Sequence, residues 1–201
     1  MDTSKKIFSL FFLLFTFSLF ATEKTDKIFD KLVNKYDSIK TFQADFVQTN
    51  YWKEIDETLV SRGKIYYNSK KLLLDYMKPK PQKMLLDTTS LIIWDIKENQ
   101  AIITNNNTDI SRPIDIIKKF WQNSKIIILE EKRNFIKLKL VSDEQIIIVE
   151  LKNYIIKKMK IINRNGNFVK YSFENIKINK VIKNKLFDVK LPDDVNIIQN
   201  N

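Results

Sequence analysis

Two kinds of hydrophobic pattern occupy the first forty residues. Residues 7–20 are almost wholly apolar and follow Lys5 and Lys6, whereas apolar positions in residues 26–40 recur at helical spacing. A short apolar stretch behind positive charges is typical of a secretory signal and is too short for a comfortable transmembrane helix. We predict a signal peptide over residues 1–21, cleaved on export, and a single domain over residues 22–201. An uncleaved membrane anchor is the alternative.

The pattern after the signal predicts one amphipathic helix and then a long series of strands. The helix is predicted over residues 26–40, with Asp26 as its N-cap. From Phe42 the apolar period changes to two, which is typical of β-strands. Pro113 opens a short helical segment that interrupts the strands. Asn165-Gly166 predicts a hairpin turn. Further strands are predicted over 58–67, 72–77, 83–87, 91–96, 99–104, 125–130, 134–142, 145–152, 155–163, 167–179 and 195–198.

About eleven consecutive strands with short turns predict an antiparallel meander. A meander of this length must curl, so the predicted fold is mainly β with helices. We expect an unclosed antiparallel β-barrel whose concave face is covered by a helical lid.

Several strands are apolar on both faces, for example residues 72–74, 91–94, 126–129 and 146–149. Apolar residues on both faces are typical of a sheet that is covered on both sides. The same pattern in an incomplete barrel also suits an apolar cavity. The sequence leaves the filled core and the hollow cavity open as alternatives.

Composition excludes most kinds of catalytic site. The chain has no His and no Cys, and its two glycines, Gly63 and Gly166, are isolated. Thiolate nucleophiles, Ser-His-Asp triads, zinc clusters and glycine-rich phosphate loops are therefore excluded. We expect no enzymatic activity, no cofactor and no metal. The formal net charge of +11 indicates either a solvated Lys-rich surface or contact with an anionic surface.

Several segments resemble the LolA family of outer-membrane lipoprotein carriers. Phe42, Ala44, Phe46 and Gln48 match its first strand, and Gly63 lies in a similar glycine strand. Further similar segments run over 72–79, 87–95, 113–120, 166–179 and 186–195, so the resemblance covers almost the whole mature chain. The chain departs from the family at Leu74, where a Trp is common, and at Thr88, where a Gly is common. It also has no Arg between Gly63 and Pro79, where the family carries one that holds the lid closed.

The resemblance implies a periplasmic carrier. Such proteins receive acylated lipoproteins from an inner-membrane ABC transporter, shield the acyl chains, and deliver them to an outer-membrane receptor or to the outer membrane itself. We expect a monomer that does not bind nucleic acid. The expected lining of the acyl-chain cavity is Phe29, Leu32, Phe42, Phe46, Tyr66, Leu72, Leu74, Tyr76, Ile92, Trp94, Ile114 and Ile117. Lys70 and Lys71 are the cations nearest to the missing Arg, and they are candidates for holding the lid.

Two alternatives of other classes stay open. A LolA-like sensor or adaptor could bind lipidated proteins in order to regulate a partner. A basic exported β-protein could instead bind an anionic surface, with Tyr51 and Trp52 as aromatic platforms.

Overall fold

The protein is mostly β with two helices. The computed structural model describes residues 23–105 and 113–200, so the predicted signal peptide over residues 1–21 lies outside the described residues. The first helix, α1, covers residues 23–37, the second, α2, covers Pro113–Trp121, and a 3-10 helix covers Asn184–Phe187. The strands are β1 (Phe42–Trp52), β2 (Glu57–Tyr67), β3 (Leu72–Lys78), β4 (Gln82–Leu86), β5 (Ser90–Asp95), β6 (Gln100–Asn105), β7 (Lys125–Lys132), β8 (Phe135–Val141), β9 (Gln145–Lys152), β10 (Ile155–Asn163), β11 (Phe168–Ile178) and β12 (Asn196–Asn200).

All twelve strands form one unclosed sheet, and its order differs from a single meander. Strands β1–β6 and β7–β11 are two antiparallel meanders, which are joined where β1 pairs with β11. Strand β12 pairs in parallel with β6, so β12 and β7 are the two edges. Strands β6 and β7, which are consecutive in the chain, therefore lie near opposite edges of the sheet. The predicted fold class is confirmed, and the connection through α2 passes between the two ends of the sheet.

Helix α1 starts earlier than the sequence predicts. The described helix already includes residue 23, so Asp26 lies inside it and is not its N-cap. Glu23 and Lys27, one turn apart, form an ion pair of 2.6 Å that extends the helix on this side. The helix ends at residue 37, before the predicted end at residue 40, because the chain turns there: the Ile39 N–H donates to the Tyr36 carbonyl.

A hydrophobic core lies between the two helices and one face of the sheet, which we call the helix side. Apolar side chains at helical spacing on α1 and on α2 are buried in this core, as the amphipathic patterns predict. Its buried side chains include Ile28, Leu32, Tyr36, Ile114, Ile117 and Trp121 from the helices and Phe42, Phe46, Ile65, Leu138, Leu140, Ile147, Val149, Leu151, Ile156, Met159 and Phe173 from the strands.

A second, smaller core lies on the opposite face, which we call the outer face. The segment that contains the 3-10 helix crosses this face and buries Phe187 against Leu73 and Leu85. The outer face is therefore covered over β2–β5. No helix of the described residues is long and apolar enough to cross a membrane.

Candidate functional site

The two helices and β1 bring several predicted site residues together in the helix-side core. The Phe29 ring stacks on Trp121 with centroids 4.7 Å apart, which ties α1 to α2. Leu32, Ile114 and Ile117 are completely buried between the helices and the sheet. These residues attach the helices to the sheet, and they would have to move for an acyl chain to enter between them.

Residues from three separate sequence segments meet around Phe46. Its ring lies edge-on to Tyr76 at a centroid distance of 5.0 Å. A Cβ added at Gly63 would lie 2.9 Å from the Phe46 ring and would collide with the Asp75 carbonyl, so only glycine fits beneath this ring. The Tyr76 hydroxyl donates to Gln48 Oε1 at 2.6 Å. The first strand, the glycine strand and β3 thus share one cluster.

The side chains of Tyr76 and its neighbour Tyr171 stay uncharged. Burial raises the pKa of Tyr76, and the neighbouring Tyr171 raises it further. Burial likewise raises the pKa of Tyr171. Both rings therefore present uncharged surface, and the Tyr76 hydroxyl is satisfied inside the protein by Gln48. An uncharged surface of this kind suits an apolar ligand.

The helix side of β3–β6 carries apolar side chains beyond the cover of the core. Two cross-strand rows show this, because directly opposed residues of antiparallel strands share a face. One row begins at the core residue Ile65 and the other at the core residue Tyr67. In register these rows run Ile65–Leu74–Met84–Ile93–Ile102 and Tyr67–Leu72–Leu86–Leu91–Thr104.

Five of these side chains form what we call the open apolar surface: Met84, Leu86, Leu91, Ile93 and Ile102. All five are half-buried, and none belongs to either core formed by the described residues. The surface is continuous with the core through Leu72 and Leu74, which pack against its edge. It is therefore an apolar wall, next to the helices, that a hydrophobic ligand could cover.

Comparison with known proteins identifies the family of this chain. A family model described as outer membrane lipoprotein carrier protein LolA matches residues 37–190. The chain belongs to the LolA family. An outer-membrane lipoprotein carrier protein of Francisella philomiragia is 27% identical over 187 residues, which cover 84% of this chain and 87% of that protein. Another, from Francisella tularensis subsp. tularensis, is 26% identical and covers 96% of this chain and 97% of its own length.

The fold has a solved counterpart. An uncharacterized conserved protein from Thermus thermophilus superposes with a TM-score of 0.56 at 14% identity, covering 88% of this chain and 99% of that one. At this identity the likeness concerns the fold alone. The assignment to the LolA family rests on the family model.

The positions where this chain departs from the LolA family pattern are accommodated locally. Thr88 lies exposed in the turn between β4 and β5 and does not have a positive φ, so this turn does not require glycine. The Asp87 side chain accepts backbone N–H groups from Thr89 and Ser90 at 2.9 and 2.7 Å and holds the turn closed. Leu74 contributes to the wall at the edge of the helix-side core.

Lys70 and Lys71 lie in the turn between β2 and β3. Lys70 is exposed and Lys71 is half-buried, and neither ammonium group has a hydrogen bond or ion pair with another described residue. The turn is connected to the end of the α1 segment by Ser69, whose hydroxyl donates to the Lys40 carbonyl at 2.8 Å. A role of the two lysines in holding the helices stays a prediction.

Nine of the twelve predicted lining residues lie in or against the helix-side core, and three lie elsewhere. The nine are Phe29, Leu32, Phe42, Phe46, Leu72, Leu74, Tyr76, Ile114 and Ile117. Tyr66 and Ile92 pack in the outer core. Trp94, two residues after Ile92 in β5, points to the same outer face. The structure therefore does not bring these three together with the other nine.

The open apolar surface contains residues that the sequence prediction missed. Ile93 lies between the predicted residues Ile92 and Trp94, and Met84 and Ile102 lie opposite it in the register. The strand registers from Ile65 across β3, β4 and β5 put them on the helix side, and alternation within a strand that is apolar on both faces does not decide this. Among the described residues, no group of three acidic side chains is placed to hold a metal ion.

Proposed function

We propose that this protein is a periplasmic carrier that binds the acyl chains of lipoproteins released from the inner membrane and delivers them to the outer membrane. The open apolar surface beside the helices, in a chain of the LolA family, is the observation that supports this function. Acyl chains form no hydrogen bonds, so a wall of aliphatic side chains and neutral phenols is sufficient to bind them.

The energy of such binding favours partial burial. Each methylene removed from water contributes about 0.8 kcal/mol, so full burial of several chains would make release too slow for a carrier. The half-buried open apolar surface would leave part of each chain accessible. Transfer is then driven by an acceptor that buries the chains more completely.

The partners follow from this role. The donor is an inner-membrane ABC transporter, and the acceptor is an outer-membrane receptor or the outer membrane itself. We propose that the protein acts as a monomer after removal of residues 1–21, with residues 22–201 as its single domain. The chain performs no reaction on its cargo.

A release experiment tests the carrier function. Mature protein is incubated with spheroplasts that synthesise an outer-membrane lipoprotein, and the soluble lipoprotein complex is measured. The double variant Met84→Glu/Ile93→Glu places two charges on opposed residues of the open apolar surface. We expect it to release at least tenfold less lipoprotein and to lose binding of a fluorescent fatty acid.

The matched control is Val181→Glu, which introduces the same side chain at a position that is 97% exposed. It should release lipoprotein like the unaltered protein. Equal release by all three proteins would place cargo binding elsewhere. No release by the unaltered protein, together with no binding of the fatty acid, would refute the carrier function.

A further inference from the structure

The outer face of β7–β11 has no second layer formed by the described residues. The segment that covers the outer face packs its buried side chain, Phe187, on Leu73 and Leu85 of β3 and β4. The apolar residues Ile127, Ile146, Ile148, Ile162 and Phe168 on β7–β11 belong to neither core, and all of them are half-buried. The sequence predicts strands apolar on both sides, and here one of these sides remains open.

The side chains on this bare outer face are arranged in rows. The strand registers place three lysines, Lys139, Lys160 and Lys170, in one row across β8–β11, with Ile127 and Ile148 between and beside them. The next row towards the β1–β2 hairpin is apolar and aromatic. It runs Val141–Ile146–Ile162–Phe168–Tyr51.

The lysine row is not neutralised by carboxylates of the described residues. Lys160 and Lys170 are directly opposed, and like charges in that position destabilise a sheet. The Lys160 ammonium lies 3.7 Å from the centroid of the Phe168 ring, and no described carboxylate forms an ion pair with Lys139, Lys160 or Lys170. A sheet that keeps unfavourable, unpaired charges in one row is suited to bind a negative surface.

The neighbouring charged row behaves differently. There the Glu150 carboxylate forms ion pairs with Lys137 and Lys158, which lie on the strands on either side of it. The distance from the lysine nitrogen to the carboxylate oxygen is 3.1 Å in each pair. Charge compensation is thus available on this face, and among the described residues it does not reach the lysine row. The contrast indicates that the positive charge of the lysine row is a separate feature from the general Lys content of the chain.

The apolar row suits the interfacial layer of a bilayer. Tyr51 stacks on Phe168 with centroids 5.1 Å apart, and both rings are half-buried on an otherwise open face. At the hairpin beside them, Trp52 and Ile55 are 39% and 62% exposed. Aromatic and aliphatic side chains next to lysines are the combination found in proteins that lie on a membrane surface.

We propose that the outer face of β7–β11 binds the surface of an anionic phospholipid bilayer. The lysine row would contact the headgroups, while the apolar row and the Trp52–Ile55 hairpin would enter the interface. This face lies opposite the helices, so the open apolar surface remains free while the protein is on the membrane. The inference does not depend on which cargo the protein carries.

Binding to vesicles tests this proposal. Mature protein is co-sedimented with vesicles of phosphatidylcholine and with vesicles that contain about one third phosphatidylglycerol. We expect binding to the anionic vesicles only, weakening as salt is raised. The variant Lys139→Gln/Lys160→Gln/Lys170→Gln should bind them about 10- to 100-fold more weakly, from the contribution of each lysine near an anionic surface.

A control variant separates the face from net charge. Lys183→Gln/Lys185→Gln/Lys190→Gln removes the same charge from exposed positions in the segment that crosses the other half of the sheet. It should bind the anionic vesicles nearly as well as the unaltered protein, and thermal unfolding should show that both variants are folded.

Three results would overturn the proposal. These are equal loss of binding in both triple variants, no preference for anionic vesicles, and tighter binding to heparin than to the vesicles, which would identify an anionic polymer as the occupant. Lipoprotein release from spheroplasts distinguishes this proposal from the carrier function, because the variant of the lysine row retains the whole open apolar surface.

Discussion

The two halves of the sheet differ in which of their faces is covered. In β7–β11 the helix side is filled, with Leu138, Leu140 and Leu151 exposed by 1% or less, and the outer face is bare. In β3–β5 the outer face is covered by the segment around Phe187, and the helix side of β4–β6 carries the open apolar surface. One half supplies a packed core, and the other supplies an apolar wall that neither described helix covers.

The dimensions of the elements explain the difference. Twelve strands spaced about 4.8 Å apart make a sheet roughly 53 Å wide along its curve. Helix α1, with residues 23–37 described, is about 22 Å long. The much shorter α2 adds nine residues. Two such helices cannot cover the whole helix side, so part of its apolar area is left without a cover from the described helices.

Truncation of one side chain in each half gives the largest expected contrast. Leu140→Ala in the filled half removes a fully buried side chain and leaves a cavity, so it should lower the free energy of unfolding by about 2–5 kcal/mol. Ile93→Ala in the open half removes a half-buried side chain, which should cost about 1 kcal/mol. Urea unfolding measures both values.

A bound ligand should also distinguish the open half of the sheet from the filled half. A bound fatty acid should protect the unaltered protein against unfolding and should protect the Ile93→Ala variant less, because binding stabilises only the folded state. Equal unfolding costs for the two truncations would show that the open half is as tightly packed as the filled half, and the comparison would then fail.

Gly63→Ala tests β2, the strand next to β1, at which the two meanders are joined. The added Cβ would collide with the Asp75 carbonyl and approach the Phe46 ring, and a backbone atom of the sheet cannot yield easily. We expect a loss of about 1–3 kcal/mol in the free energy of unfolding. Ser61→Ala, two residues earlier on the same face, is the matched control and should cost much less. A Gly63→Ala protein of unaltered stability would mean that β2 and β3 can separate at this point.

Alternation in the sequence was sufficient to predict the strands, because it reflects local burial on one face. It could not predict that β1 pairs with β11, since the residues that pair lie more than 110 positions apart and each strand alone is satisfied by any apolar neighbour. Because β1 pairs with β2 on one side and with β11 on the other, β6 and β7 lie near opposite edges of the sheet. A simple meander would have placed those two strands side by side.

The candidate site was predicted in part for the same reason. The residues of α1, β1 and α2 were identified because a helix period or a strand period defines one face within the element. Tyr66 and Ile92 belong to the outer face: Tyr66 follows the apolar Ile65 directly, and β5 is apolar on both faces, so only the register decides which side chains face the helices. Ile93 was missed by the same ambiguity.

The smallest expected effect concerns the charged row on the bare outer face. Burial by itself raises the pKa of Glu150, but hydrogen bonds from Lys137 and Lys158 outweigh it and hold the pKa below its ordinary value of 4.5. A carboxylate with a lowered pKa in the folded state stabilises the fold above its unfolded pKa, and this contribution is lost as the pH falls through the folded value. Stability should therefore contain a term that disappears in acid.

Glu150→Gln isolates this term. Because the two lysines are 34% and 55% exposed, solvent screens the pairs, and the variant should lose about 1 kcal/mol or less at pH 7. Urea unfolding of both proteins should show that this difference shrinks as the pH falls below 4.5 and also shrinks in high salt. A difference that persists in acid would mean that Glu150 acts by packing, and the two charged rows of the outer face would then not differ in the way that the ion pairs indicate.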